Sequence, residues 1–164
     1  MAIMSSKLLR HTFCMEELRK IGAQVINVQG IKFYVKYTIN NLNIEYLYHV
    51  NPDDTYLLER IKPYLLIVGE YPTEEDIVEA IKVDIDQFKN AMKSKNFNDF
   101  VAIDRDLTDI VRYFEDLYLY YNINREDLSL MKEEINHVVD LILQIKNRSQ
   151  RVYHKKDPDN LKDK

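Results

Sequence analysis

Two pairs of carboxylates have a spacing that could support metal chemistry. Asp76 and Glu79 are three residues apart, and Asp106 and Asp109 repeat this interval further along the chain. Residues three apart lie on the same side of an α-helix, and carboxylate oxygens are the ligands that Mg²⁺ prefers in proteins. The four acids therefore form one candidate metal site, at which Mg²⁺ would assist the hydrolysis of a phosphate ester.

The same acids are part of a limited likeness to a known family. Together with the phrase LTDIVRY at 107–113, they resemble the paired-acid helices of the all-α nucleotide pyrophosphohydrolases. The likeness covers parts of two helices, and this chain has aspartates where that family favours glutamates. The resemblance implies a small magnesium-dependent phosphohydrolase, which we keep as the alternative function.

The residues around these acids favour a different role. Val78 and Ile81 belong to an apolar seam with helical spacing, and Asp76 and Glu79 fall beside that seam instead of on it. The second pair of acids also falls beside the apolar seam of its own helix. We therefore expect the acids to face solvent and not a shared metal ion.

A second candidate site is the stretch from Ile110 to Tyr121, which has more apolar and aromatic residues than one helix seam can bury. Tyr113 and Tyr120 are seven residues apart and form a stripe beside the core positions. One interpretation is a central helix that is packed on both sides. The other is an interface, because tyrosine combines a large apolar ring with a polar tip. The second interpretation predicts a non-catalytic interaction or regulatory module, either a homodimer or a complex with another protein.

The signatures of other chemistries are missing. Three glycines are too few for a phosphate-binding loop, and a single cysteine, Cys14, cannot build a disulfide or a multi-cysteine zinc site. The four histidines are far apart and lack metal-ligand spacing. We therefore expect no cofactor, and a binding protein is favoured over an enzyme.

Composition narrows the class further. The chain has 164 residues, of which 46% are hydrophobic and 30% charged, as is typical of one folded domain. The formal charge of −4 disfavours nucleic acid as a partner, because affinity for it comes largely from neutralising phosphates. No stretch reaches the 18 apolar residues of a membrane-spanning helix. The sequence thus predicts a cytoplasmic protein with no membrane association.

The clearest structural pattern is a β-hairpin from Ile31 to Val50. Two alternating segments flank Asn40 and Asn41, which tolerate the backbone of a tight turn. Pairing Ile39 with Leu42 sets the register of the whole hairpin. In that register the following pairs form: Tyr37 with Ile44, Val35 with Tyr46, Phe33 with Tyr48, Ile31 with Val50, Thr38 with Asn43, Lys36 with Glu45, Tyr34 with Leu47 and Lys32 with His49.

Helices are predicted on both sides of this hairpin. An N-terminal helix is closed by Gly22, and residues 24–28 could add a third strand. Residues 54–69 favour a kinked helix, although 64–68 could instead be a strand. After the N-caps Thr73 and Asn124, apolar residues recur every three or four positions, which is typical of an antiparallel bundle of three long amphipathic helices. The sequence predicts one α+β domain over 1–149 and a flexible polar tail over 150–164.

Overall fold

The computed structural model describes residues 12–14, 16–24, 30 and 32–161. The fold is α+β, as predicted, and its centre is a four-stranded antiparallel sheet in the order β1-β2-β3-β4. The strands are β1 Lys32–Ile39, β2 Leu42–Val50, β3 Tyr56–Lys62 and β4 Leu66–Tyr71, and the long helices are α1 Glu74–Ala91, α2 Phe97–Tyr120 and α3 Arg125–Arg148.

The N-terminal helix is confirmed over the residues that the structure describes. Residues 12–14 and 16–20 are helical, and Gly22 follows in the left-handed region with a φ of 87°. The amide of Gly22 donates to the carbonyl of Arg19, and that of Ala23 donates to Leu18, so the last carbonyls of the helix are satisfied. The possible strand at 24–28 falls almost entirely outside the described residues.

The hairpin has the predicted register. Ile39 pairs with Leu42, and every other predicted pair is present except that of Ile31, which lies outside the described residues. Asn40 takes a φ of 51° at the turn, a conformation that asparagine adopts more readily than most residues. Alternation and turn chemistry were sufficient here because both are local properties of the chain.

The predicted kinked helix over 54–69 is wrong, because this segment forms β3 and most of β4. Leu58 and Arg60 are buried while Glu59, between them, is only partly buried, so burial alternates as it does in a strand. The alternative strand at 64–68 overlaps the start of β4. The sequence pattern gave the wrong prediction because an arginine is usually exposed to solvent, whereas the side chain of Arg60 points into the core.

The core lies between one face of the sheet and α1. Ile44, Tyr46 and Leu58 on the sheet and Ile77 on the helix are completely inaccessible to solvent. The predicted N-cap of α1 is confirmed, since the hydroxyl of Thr73 accepts a hydrogen bond of 3.2 Å from the third amide of the helix. The inward face starts at Ile77, one residue before the predicted Val78, which is exposed.

The helices α2 and α3 are also where the sequence predicts them, but little of their surface is buried. Both the start of α2 and the end of α3 lie near the C-terminal end of α1, so these two helices run in opposite directions. Asn124 caps α3 by accepting the amide of Asp127 at 2.8 Å. Val101 is the one buried residue of α2, and α3 has none. No helix within the described ranges is both long and apolar enough to cross a membrane.

The segment after α3, which was predicted to be a flexible tail, lies against α1 as far as it is described. Asp86 on α1 accepts hydrogen bonds from the hydroxyl of Tyr153 at 2.9 Å and from the amine of Lys155 at 2.8 Å. The side-chain amide of Asn90 donates to the carbonyl of Val152. These contacts are made by polar groups, so the spacing of apolar residues along the chain does not predict them.

Candidate interaction surface

The two tyrosines singled out from the sequence are exposed. Tyr113 retains 69% of its accessible surface and Tyr120 retains 78%. The chain's own helices therefore do not cover the tyrosine stripe. The interpretation of α2 as a central helix packed on both sides does not apply to this part of it.

The exposed stripe is part of a larger apolar surface on residues 107–141, which we call the helical arm. The arm contains the distal part of α2, the connection to α3 and the first two-thirds of α3. Phe114, Ile123, Leu128 and Met131 are partly buried, but fourteen other large hydrophobic residues of the arm are at least 40% exposed. They are Leu107, Ile110, Val111, Tyr113, Leu117, Tyr118, Leu119, Tyr120, Tyr121, Leu130, Ile135, Val138, Val139 and Leu141.

The size of this surface sets it apart from an ordinary monomer surface. The four exposed tyrosines of the arm are between 59% and 78% accessible. At about 150–250 Å² per aromatic side chain, they expose on the order of 500 Å² by themselves. The largest apolar patch of a typical monomer is about 300–600 Å² in total. The aliphatic residues of the arm come in addition, so the summed exposure of its hydrophobic residues, which are spread over α2, the connection and α3, exceeds the area of one such patch.

The part of α2 that precedes the arm is fixed to α1 and to the connection between β3 and β4 by aromatic and polar contacts. Phe97 and Phe100 in the first turn of α2 pack against Phe88 of α1, with ring centroids 6.3 Å away in each case. One turn further along, the guanidinium of Arg105 donates twice to the carbonyl of Pro63. The remainder of α2 has no comparable anchor among the described residues, which leaves its apolar face available.

The four candidate metal ligands are not brought together. Asp76 bonds to the N-cap hydroxyl, Glu79 pairs with Lys82, Asp109 lies 3.6 Å from Arg112, and Asp106 is exposed. Within the described part of the chain, no group of three acidic, histidine or cysteine side chains could hold a metal ion. Three of the four acids therefore contact a residue three positions away in the chain, and the fourth is exposed to solvent.

A buried charged cluster lies elsewhere, at residues that were not predicted from the sequence. Arg60 on β3 donates two hydrogen bonds to Asp84 on α1, from Nε at 3.0 Å and from Nη2 at 2.5 Å. The hydroxyl of Tyr46 donates to the same carboxylate at 2.7 Å. The guanidinium also lies over the rings of Tyr64 and Phe88, 5.0 and 4.8 Å from their centroids. A carboxylate four residues before Phe88, on the inward face of α1, was the available signal.

The electrostatics of this cluster are those of a structural ion pair. Burial raises the pKa of Tyr46 well above its usual range, and the charge of Asp84 adds to that effect. Burial opposes the charge of Arg60, but its bonds with Asp84 outweigh that cost and the pKa of Arg60 is raised. Arg60 and Tyr46 thus hold their protons over the ordinary pH range. Neither one is poised to transfer a proton.

A second polar cluster lies on the other face of the sheet. Glu45 is only 3% exposed, and it accepts hydrogen bonds from the hydroxyl of Tyr34 and, at 3.1 Å, from the amine of Lys62. The hydrogen bond from Tyr34 lowers the pKa of Glu45, and Lys62 lowers it further against the effect of burial. A carboxylate held in its charged form by these donors is a poor general acid. The cluster is best explained as support for the register of the sheet.

Comparisons of this chain with protein-family models, with curated proteins and with solved structures find no match. The candidate surface therefore rests on its exposure, size and position in this fold.

Proposed function

We propose that the protein is a non-catalytic protein–protein interaction module that self-associates through the helical arm. The observation that carries this proposal is the exposure of apolar residues on both α2 and α3, including Tyr113 and Tyr120 of α2. Leaving such a surface in water is unfavourable by roughly 25 cal/mol per Å². Covering it would stabilise an assembly.

We propose a second copy of the chain as the partner, because the exposed area is of the order that one subunit buries in a dimer. A standard interface buries about 800 Å² on each partner, and the exposed tyrosines and aliphatic residues of the arm provide an area of that order. Two antiparallel helix pairs that meet face to face form a four-helix bundle, in which each helix buries an apolar stripe. A two-fold axis would place the same patch of each copy in the interface.

The charge of the arm predicts how self-association should depend on salt concentration. The arm has eight acidic residues and three basic ones, a net charge of 3 − 8 = −5 with histidine neutral. The acids are Asp109, Glu115, Asp116, Glu126, Asp127, Glu133, Glu134 and Asp140, and the bases are Arg112, Arg125 and Lys132. Two arms repel each other at long range, so salt that screens this repulsion should strengthen the dimer. A basic partner protein would show the opposite dependence.

The test is sedimentation velocity or light scattering of the whole chain over a wide range of concentration. We expect a monomer–dimer equilibrium for the parent, a dissociation constant at least about tenfold higher for Tyr113→Ser/Tyr120→Ser, and tighter association at 300 mM than at 50 mM salt. Ile67→Ser is the matched control, because it removes an equally exposed apolar side chain from the sheet edge.

Two results would overturn the proposal. One is a parent that remains monomeric at every concentration and salt level. The other is a dimer that the double tyrosine variant leaves unchanged while Ile67→Ser dissociates it. In that second case the edge of the sheet, and not the helical arm, would hold the copies together.

A further inference from the structure

The described segment after α3, residues 150–161, lies on α1 between two cavities. We call this segment the strap. One cavity, of about 800 Å³, opens towards the end of α3, and the other, of about 650 Å³, opens towards β4. Lys156 and Pro158 of the strap line both cavities. The strap therefore lies on the surface of α1 without filling the space on either side of it.

Two polar side chains of α1, one helical turn apart, bind the strap. The side-chain amide of Asn90 donates to the backbone carbonyl of Val152 at 3.3 Å. Asp86 accepts the hydroxyl of Tyr153 at 2.9 Å and the amine of Lys155 at 2.8 Å. The strap belongs to no helix or strand. Asp86 and Asn90 thus bind one main-chain group and two alternate side chains of an irregular segment.

The attachment of the strap leaves its residues in contact with water. The side chain of Lys155 is 73% exposed and that of Asp86 is 37% exposed, and Val152 retains 72% of its surface. No residue of the strap is buried. An ion pair with this exposure contributes little to stability, because water and salt screen it. The strap can therefore leave α1 without opening the core.

The shape of the strap depends on its own residues. The guanidinium of Arg151 donates to the carbonyl of Tyr153 at 2.8 Å and to that of Lys156 at 3.0 Å. It also pairs with the carboxylate of Asp157 at 2.8 Å. All of these residues lie within the strap, so a separate peptide of the same sequence has every group that these bonds need.

From these contacts we infer that the strap is an autoinhibitory segment, and that Asp86 and Asn90 form a binding site for a segment of a partner protein. The partner segment has a tyrosine and a lysine two residues apart, as the strap has at Tyr153 and Lys155. Its hydroxyl and amine bond Asp86, and its main-chain carbonyl before the tyrosine bonds Asn90. The strap is tethered beside the site and so occupies it at a high effective concentration. The partner segment binds when it displaces the strap.

The experiment uses a fluorescent peptide that copies residues 149–160 as the probe, and fluorescence anisotropy measures its affinity for the whole chain. In the parent chain the strap competes with the probe. In the variant Tyr153→Phe/Lys155→Ala the site is intact but the strap has lost its bonds to Asp86. The probe should therefore bind this strap variant at least about tenfold more tightly than it binds the parent. A strap that only packs on α1 predicts no binding of the probe.

The site itself is tested within the strap variant. Adding Asp86→Asn should weaken binding of the probe at least about tenfold, because the acceptor of both side chains loses its charge. Glu75→Gln is the matched control, since it makes the same change at an exposed acid of α1 that lines neither cavity, and it should leave the affinity unchanged. A probe with the same residues in scrambled order keeps the charge and should bind at least about tenfold more weakly.

The site shares no residue with the helical arm, so these outcomes do not depend on self-association. Circular dichroism checks that each variant keeps its helical content. The inference would be overturned by a strap variant that does not bind the probe, or by equal affinities of the parent and the strap variant. It would also be overturned if Asp86→Asn bound the probe as tightly as Glu75→Gln, or if the scrambled probe bound as tightly as the original.

Discussion

Replacing Asp84 by asparagine should be one of the most damaging conservative changes in this protein. Asp84 and Arg60 are 6% and 5% exposed, and the carboxylate accepts both bonds of the guanidinium as well as the hydroxyl of Tyr46. Asparagine keeps the shape and one acceptor oxygen but removes the charge. The guanidinium would then stay buried with no counterion, while its Nη1 already has no hydrogen-bond partner.

The expected cost follows from this burial. Removing one partner of a buried ion pair typically lowers the free energy of unfolding by about 3–5 kcal/mol. A domain of this kind is stable by about 5–15 kcal/mol in total, so Asp84→Asn should remove at least about a fifth of the stability. By contrast, Glu79→Gln breaks a pair whose two side chains are about two-thirds exposed, and should cost less than about 1 kcal/mol.

Urea unfolding followed by circular dichroism measures both variants against the parent. A triple variant, Tyr46→Phe/Arg60→Met/Asp84→Leu, replaces the whole cluster with apolar groups of similar size. Because it leaves no charge or polar group unpartnered at these positions, it should lose less stability than Asp84→Asn alone. An Asp84→Asn variant that loses no more stability than Glu79→Gln, or a triple variant that is the least stable of the set, would contradict this role of the buried ion pair.

Three further changes have equally definite outcomes. Burial raises the pKa of Tyr48 to about 12, and the hydrogen bond from Tyr48 to Glu74 contributes to this shift. Because Tyr48 loses its proton at a lower pH in the unfolded chain, the free energy of unfolding should fall between pH 10 and 12. Thermal melts of Tyr48→Phe should show a shallower fall over this range. Thr73→Ala removes the N-cap of α1 and should lower the free energy of unfolding by about 1 kcal/mol in urea, whereas Thr73→Ser should not. Asp86→Asn should speed amide hydrogen exchange over residues 150–161. The bond from Lys155 lowers the pKa of Asp86, so the parent should show the same loss of protection only at acid pH. Unchanged exchange in both cases would mean that other contacts hold this segment.

The features that were predictable from the sequence depend on neighbours along the chain. The hairpin register needs only the alternation on either side of Asn40, and Thr73 and Asn124 act on amides three residues away. The tyrosine stripe was found for the same reason, because helical spacing alone shows a surplus of apolar residues. These features required no knowledge of what packs against them.

The features that were not predictable depend on contacts between distant segments. Arg60 and Asp84 are 24 residues apart, and each reads as a solvent-facing residue until the sheet and α1 are packed together. That pairing accounts for the buried arginine on β3 and for the acid on the inward face of α1. The contacts of Tyr153 and Lys155 with Asp86 join residues even further apart, so they too left no mark on local periodicity.

The α+β class, the hairpin register, the helix caps and the apolar stripe on α2 were therefore predictable from local patterns in the chain. The exposure of Tyr113 and Tyr120 became known only from the way in which the sheet and the helices pack. The physical reason is that periodicity identifies which side of a helix is apolar. Whether another part of the same chain covers that side depends on where the chain places its other segments.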